Sequence, residues 1–294
     1  MYHNMKEMAD LAIAKGAPLS EIILENEMER FGTSKEQIYG KLRERYRVME
    51  RAAGKALESP LPTVGGLITG SSRTQYLYAS GGMGTVCGKF LNLVMARALS
   101  CSEVNASMGR ICAAPTAGAC GIVPAVLVSF VEEHGLSAED ALNGLLTASG
   151  VGAVIMKNAT VSGAEGGCQA ECGVAAAMAA AAVVQLAGGP PEASLHAICF
   201  ALMNCMGLIC DPVAGLVQIP CAQRNASQAV NALISADLAL AGMKSWIPAD
   251  EVIEAMHRVG RQLPIQLRET ALGGLAATRA GKEITRRIFG DHEE

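Results

Sequence analysis

Aromatic side chains make up 4% of the 294 residues, with one Trp, and charged side chains only 18%. So few large rings mean that an interior of this size is filled by small aliphatic groups, which favours close approach of backbones. Positive charge is not concentrated anywhere. The net charge is −4 and there is no basic block, which excludes a nucleic-acid partner of the usual electrostatic kind. The N-terminal stretch MYHNMKEMADLAIAKGAPLSE mixes charges into its apolar residues and has no uninterrupted hydrophobic core region of the kind a secretory signal carries. The longest apolar run, Val174–Val184, is mostly Ala and shorter than the roughly 20 residues of a spanning helix. These features predict a cytoplasmic protein with no membrane partner. Apolar/polar alternation is nearly missing, so few strands are expected, and no period of 20–50 residues repeats. There is no C-x-x-C pair and no matching pair of His, which excludes the common zinc-finger patterns.

Apolar residues are abundant, at 50% of the chain, and the length suffices for one large domain or two modest ones. Residues 1–60 read as a helical preface. Ser20 is a candidate cap for a helix carrying Ile22, Ile23, Met28 and Phe31, and Thr33-Ser-Lys-Glu36 has capping-box spacing. Ile38, Leu42, Met49 and Ala53 then recur on one helical face through about Leu57. Arg43, Glu44, Arg45 and Arg47 decorate the other faces as a solvated surface. From Pro60 the sequence becomes rich in Gly, Ser and Thr and reads as loops. Long helices follow over Phe90–Ser100, Ile122–His134, Ser137–Val151, Gly173–Leu186, Ala193–Leu208 and Ala226–Met243, the third opening on the cap Ser137-Ala-Glu-Asp140. The expectation is an all-α fold in which residues 61–294 form a helical catalytic domain, continuous with 1–60, whose Gly-rich loops converge on a buried site.

Four Gly-rich segments are polar yet embedded between apolar helices: Glu103–Gly121, Asn158–Gly173, Cys210–Asn225 and the looser Gly65–Gly88. Buried loops must satisfy their backbone groups, and several of them against apolar helices suggest a site built from loops. The helix after Gly121 has N-terminal amides suited to a carboxylate. Ten cysteines in a chain of this kind read as thiols or metal ligands rather than disulfides. Cys168, Cys210 and Cys221 fall in the polar loops. Cys87, Cys101, Cys112, Cys120, Cys199 and Cys205 sit in or beside apolar stretches, as small hydrophobes do. Thiols drawn from separate loops suit the soft irons of an iron–sulfur cluster.

Three long stretches carry a resemblance: EVNASMGRICAAPTAGACGIVPAV at 103–126, NATVSGAEGGCQAECG at 158–173 and CDPVAGLVQIPCAQRNA at 210–226. They resemble the alpha subunit, or catalytic domain, of the iron–sulfur-dependent L-serine dehydratases, and the likeness runs from about residue 5 to 281. In AATRAG, at 276–281, Arg279 stands where that family usually has Pro.

The resemblance implies a 4Fe–4S cluster held by Cys168, Cys210 and Cys221, with one iron left open. That iron would act as a Lewis acid in the elimination of water from L-serine to give pyruvate and ammonia, a step of serine catabolism that feeds gluconeogenesis. Cys172 stands where relatives often carry an aliphatic residue and reads as packing. Thr116, Gly118, Asn158, Ser162, Arg224 and Asn225 are the implied substrate-binding residues, with Glu165 close by. The base is not identified, and Lys157 is a candidate for it. The five His, at 3, 134, 196, 257 and 292, lie outside the motifs.

Single-chain relatives carry a further domain with a Ser-Ser-His-Thr loop, whereas Ser71-Ser-Arg-Thr74 lacks the His. Some relatives end in a cysteine that reaches the cluster, whereas this chain ends Asp291-His-Glu-Glu294. Both differences imply an alpha subunit acting with a separately encoded beta subunit, which would dock near loops 103–121 and 158–173. The rival readings are an iron–sulfur L-cysteine desulfidase and a non-catalytic cluster-binding subunit.

Overall fold

Val174–Leu186 is an alanine-rich helix in which every residue from Val174 to Val184 is buried. A helix whose side chains are methyl and isopropyl groups has no polar face to turn outward, so it is covered on all sides. The computed structural model describes residues 1–81 and 84–290. Asp291–Glu294, including His292, therefore lie outside the described residues.

Among these residues the α-helices, in chain order, are α1 (Met5–Lys15), α2 (Leu19–Phe31), α3 (Lys35–Glu58), α4 (Ser71–Ser80), α5 (Gly88–Ala106), α6 (Ile122–Glu133) and α7 (Ala138–Asn158). They continue with the short α8 (Gly163–Gly166), α9 (Val174–Leu186), α10 (Pro191–Met203), α11 (Cys221–Leu240), α12 (Ala249–Gln262) and α13 (Arg279–Phe289). The described residues contain no strand, only an isolated parallel bridge between Cys210 and Arg268. The all-α expectation is met.

Helices α6, α7, α10 and α11 pack around α9, and α5 joins α3 and α4 to this group through α6 and α11. Leu19, Ile22 and Ile23 of α2 and Leu42 and Met49 of α3 belong to the same buried cluster as Val174–Val184, so the first sixty residues share the core of one domain.

Several local expectations shift. The helix of α9 continues backward through a π-helical turn, Gln169–Gly173. The combined run Gln169–Leu186 has the length and apolarity of a membrane span, which the shorter Val174–Val184 lacks, but 89% of it is buried inside the protein. Ser20 does not cap α2, because Pro18 holds that position. Instead its N–H donates to Gln185 Oε1 (2.9 Å) and its hydroxyl oxygen accepts from Gln185 Nε2 (3.0 Å). The capping box of α3 lies one residue later than Thr33–Glu36. Gly32 ends α2 in the left-handed conformation, so Thr33 makes the connection and Ser34 pairs with Gln37. The cap at Ser137 and Asp140 is present as expected.

Helices α4, α12 and α13 were not anticipated. The first lies in a Gly- and Ser-rich stretch, while α12 buries Val252, Ile253, Met256 and Gly260 along one stripe. Arg279 is the first residue of α13, after the Thr278 cap. A Pro is well tolerated at that position because its N–H has no partner in the helix, so Arg and Pro are interchangeable for the backbone there.

Candidate active site

The stretch that leads into α9 sets the site. Gly167 has φ 75°. A Cβ on it would lie 2.8 Å from the Leu208 carbonyl oxygen and 2.7 Å from Leu263, so only glycine lets this turn pass under the 208–210 segment. Cys168 follows and is buried.

Gln169, fully buried, then binds three elements at once. Its Oε1 accepts from Gly207 N (2.8 Å), and its Nε2 donates to the carbonyls of Gly166 (2.9 Å) and Met256 (3.2 Å). Its own N–H donates to Leu208 O (3.0 Å). The Cys168 turn, the loop before Cys210 and α12 are thereby held in one arrangement.

Cys210 is positioned by backbone pairing with a later segment. Its N–H donates to Leu267 O (2.9 Å) and its carbonyl accepts from Glu269 N (2.8 Å). Cys221 opens α11, which begins inside the segment that reads as loop from sequence. Arg224 follows on the first turn of α11. It pairs with Asp211 Oδ1 (2.9 Å) and donates to Ile209 O (2.8 Å), tying α11 to the Cys210 loop. Asp211 also accepts from Leu275 N (2.7 Å).

Asn225 links α11 to the 114–121 loop. Its Oδ1 accepts from Gly121 N (2.8 Å), and its Nδ2 donates to Gly118 O (2.7 Å) and Cys221 O (2.9 Å). Thr116 of that loop donates to Glu171 Oε1 (2.8 Å), and the Cys210 thiol lies 3.9 Å from Glu171 Oε2. These bonds join all three motif segments and bring Thr116, Gly118, Cys168, Cys210, Cys221, Arg224 and Asn225 together.

The remaining expected residues contact other parts of the chain. Lys157 Nζ lies 2.9 Å from His3 Nδ1, and Asn158 Nδ2 donates to His3 O (2.9 Å). Ser162 caps the short α8, its carbonyl accepting from Gly166 N (2.9 Å), and Glu165 accepts from Thr160 Oγ1 (2.6 Å). All ten cysteines are free. Cys101 and Cys120 pack with Ala52, Ala53 and Val104, and Cys199 belongs to the main core.

The thiols differ in electrostatic setting. Hydrogen bonding from Cys172, helped by the nearby Arg224 cation, pulls Cys168 below its ordinary value despite burial. Cys172 moves the opposite way. Burial, together with neighbouring acidic groups, raises Cys210 and pushes Cys221 up to about 12. Burial pushes Glu171 up to about 6, against the Thr116 hydrogen bond.

Among the described residues no three His, Cys, Asp or Glu side chains are gathered as a single metal ion requires. Cys168, Cys210 and Cys221 are nonetheless close enough to influence one another's ionisation. The irons of a cluster are themselves spread out, so its thiolates need not meet at one point. Three thiols on three separate segments, with a cation that favours thiolate at Cys168, fit such a group.

Sequence reading did not single out Gln169, Glu171 or Asp211. Gln169 and Glu171 lie in EGGCQAECG directly before an apolar run, and polar groups at the mouth of a buried helix were the available signal.

Comparison with known proteins gives a consistent picture. The model of the family "Serine dehydratase alpha chain" matches residues 14–276. The L-serine dehydratase alpha chain of Peptoniphilus asaccharolyticus is 49% identical over 286 residues, which are 97% of this chain and 98% of that one. The probable L-serine dehydratase alpha chain of Bacillus subtilis strain 168 is 44% identical over 290 residues, 99% of this chain and 96% of its own. The longer L-serine dehydratase of Streptomyces coelicolor is 37% identical over 279 residues, 92% of this chain but 59% of that protein.

Proposed function

This chain belongs to the serine dehydratase alpha chain family, and we propose that it is the catalytic alpha subunit of an iron–sulfur L-serine dehydratase, acting in the cytoplasm with a beta subunit. The observation that carries the reading is the joining of the three motif segments, by Gln169, Glu171, Arg224 and Asn225, around Cys168, Cys210 and Cys221. In this reading those three thiols hold a 4Fe–4S cluster, and Cys172 packs in the core as a small hydrophobe. When bound, a cluster with one iron not ligated by protein supplies a Lewis acid that assists departure of the β-hydroxyl.

The chain's own residues bind and orient. Thr116, Gly118 and the backbone around them form the side of the site suited to the substrate carboxylate. Asn225, whose amide is engaged by Gly118 and Gly121, keeps that loop in shape. Arg224, anchored by Asp211, sets the Cys210 loop against α11 and offsets the thiolate charge at Cys168. Asn158 and Ser162 stand further off, on His3 and on the short α8 that precedes the Cys168 turn.

In the reaction the Cα–H bond breaks and its electron pair forms the Cα–Cβ double bond as the Cβ–O bond breaks. The departing hydroxide takes a proton and leaves as water. The resulting 2-aminoacrylate tautomerises to the imine, and hydrolysis gives pyruvate and ammonia. The sum is L-serine to pyruvate and ammonia, with no oxidant or reductant consumed.

The test is anaerobic purification, iron and sulfide analysis, and a pyruvate assay with L-serine, with and without the beta subunit. Iron-bearing protein that makes pyruvate only when the two are mixed is the expected result. Full activity from the isolated chain would remove the two-subunit part of the reading. Sulfide and pyruvate from L-cysteine, with none from L-serine, would replace it by a desulfidase.

A further inference from the structure

Glu171 is a carboxylate in the π turn, only 9% exposed, and its surroundings are unusual for a buried acid. It takes part in none of the ion pairs found among the described residues. The cation of the site, Arg224, is taken by Asp211 at 2.9 Å. The ionisable groups that face Glu171 are Glu269 and the thiols of Cys168, Cys172, Cys210 and Cys221, all acidic.

Its one strong donor is the Thr116 hydroxyl, at 2.8 Å. On two sides it lies flush against backbone. A Cβ on Gly163 would come within 2.6 Å of Oε2, and one on Gly118 within 3.1 Å of Oε1. Taking a carboxylate out of water with only the Thr116 hydroxyl and, at 3.9 Å, the Cys210 thiol as donors and no counter-charge is costly, and a cation seated beside it offsets that cost.

On the reading proposed above, the substrate is a zwitterion. Its carboxylate has the 116–121 loop, but its α-ammonium, a compact cation with three donors, needs an anionic partner beside that loop. We propose that the Glu171 carboxylate is the subsite that receives the α-ammonium group of the substrate, held in orientation by Thr116. The inference rests on the assignment of this chain as an amino-acid lyase, and it makes Glu171 the residue that distinguishes a 2-amino acid from a 2-hydroxy acid of the same shape. Neither the motif cysteines nor Arg224 can make that distinction, because none offers a free anion that accepts hydrogen bonds from nitrogen once the thiolates bind metal.

The experiment uses the anaerobically assembled complex with its beta subunit and two probes, L-serine and L-glycerate, in which a hydroxyl replaces the ammonium. Binding is read from ligand-induced shifts in thermal unfolding and in the visible spectrum, not from turnover. The wild type should prefer L-serine. In Glu171→Gln, affinity for L-serine should fall about 30-fold or more, the loss expected when one partner of a buried charge pair is removed. Affinity for L-glycerate should change by less than about threefold, with iron and sulfide content as in the wild type. Glu171→Asp, which keeps the charge one methylene shorter, should recover part of the serine preference.

An unchanged serine-to-glycerate ratio in Glu171→Gln would overturn the proposal. So would loss of iron in both variants, because Glu171 would then be holding the cysteine turn rather than the substrate. A wild-type complex with full iron content that binds neither probe and makes no pyruvate would instead overturn the functional reading on which the proposal stands.

Discussion

The helical run from Gln169 to Leu186 has two halves that are equally buried and differently built. Val174–Val184 is filled by Ala, Val and Met, needs nothing from its neighbours but shape, and lies at the centre of the core. Gln169–Gly173 is a π turn that carries Gln169, Glu171 and Cys172 into the same interior, and Gln169 and Glu171 each have a hydrogen-bonded partner. The widened turn is where polar groups leave the apolar stripe and meet the loops, which is the usual place for π turns in proteins. Burial by itself therefore does not distinguish scaffold from site here. What distinguishes them is whether a buried group is satisfied by packing or by directed bonds.

The comparison breaks most severely at the cysteines. Cys168→Ser, Cys210→Ser and Cys221→Ser should each remove most of the bound iron and nearly all pyruvate formation, with far-UV circular dichroism unchanged. Cys172→Ala should retain the iron. Iron analysis of the four variants checks this, and a Cys172→Ala protein without iron beside a Cys168→Ser protein with it would reverse the ligand assignment.

Gln169→Leu comes next. It leaves the Gly207 N–H and the Gly166 and Met256 carbonyls unpaired. At about 1–3 kcal/mol for each buried group left without a partner, the loss should be about 3 kcal/mol or more, seen as a lowered thermal midpoint. In the packed half, Ala180→Val adds methyl groups where there is no room and should cost about 1–3 kcal/mol, with the iron retained. If Ala180→Val lost iron while Gln169→Leu kept it, the division between the halves would fail. The smallest effect should come from Ser34→Ala, far from both halves, where loss of the α3 cap should cost about 1 kcal/mol with no change in iron or activity.

The packed half was legible in the sequence because an unbroken run of Ala and Val permits only a covered helix. The cap at Ser137 was equally plain, since its side-chain bonds are local. Cys168, Cys210 and Cys221 could be chosen from ten cysteines only through the long motifs around them, as thiols carry no periodic signal. Glu171 and Gln169 stayed hidden because a polar residue beside glycines looks the same in sequence whether it faces solvent or the interior. Only the partners, Thr116 at a distance of 55 residues and Gly207 at 38, reveal which. Cys221 was read as part of a loop because the polar CAQRNA hides the start of an α-helix whose apolar face begins later.

The pairing of Cys210 with Leu267 and Glu269, and of Asp211 with Leu275, fixes the site to residues far along the chain. During synthesis, which proceeds from the N-terminus, α1 to α10 come well ahead of these partners along the chain. The alanine-rich core can close at that stage. The Cys210 loop cannot take its final position until residue 275 has left the ribosome. A chain cut short before residue 267 would therefore lack the backbone partners that hold Cys210, and one cut before residue 275 would lack the N–H that Asp211 accepts.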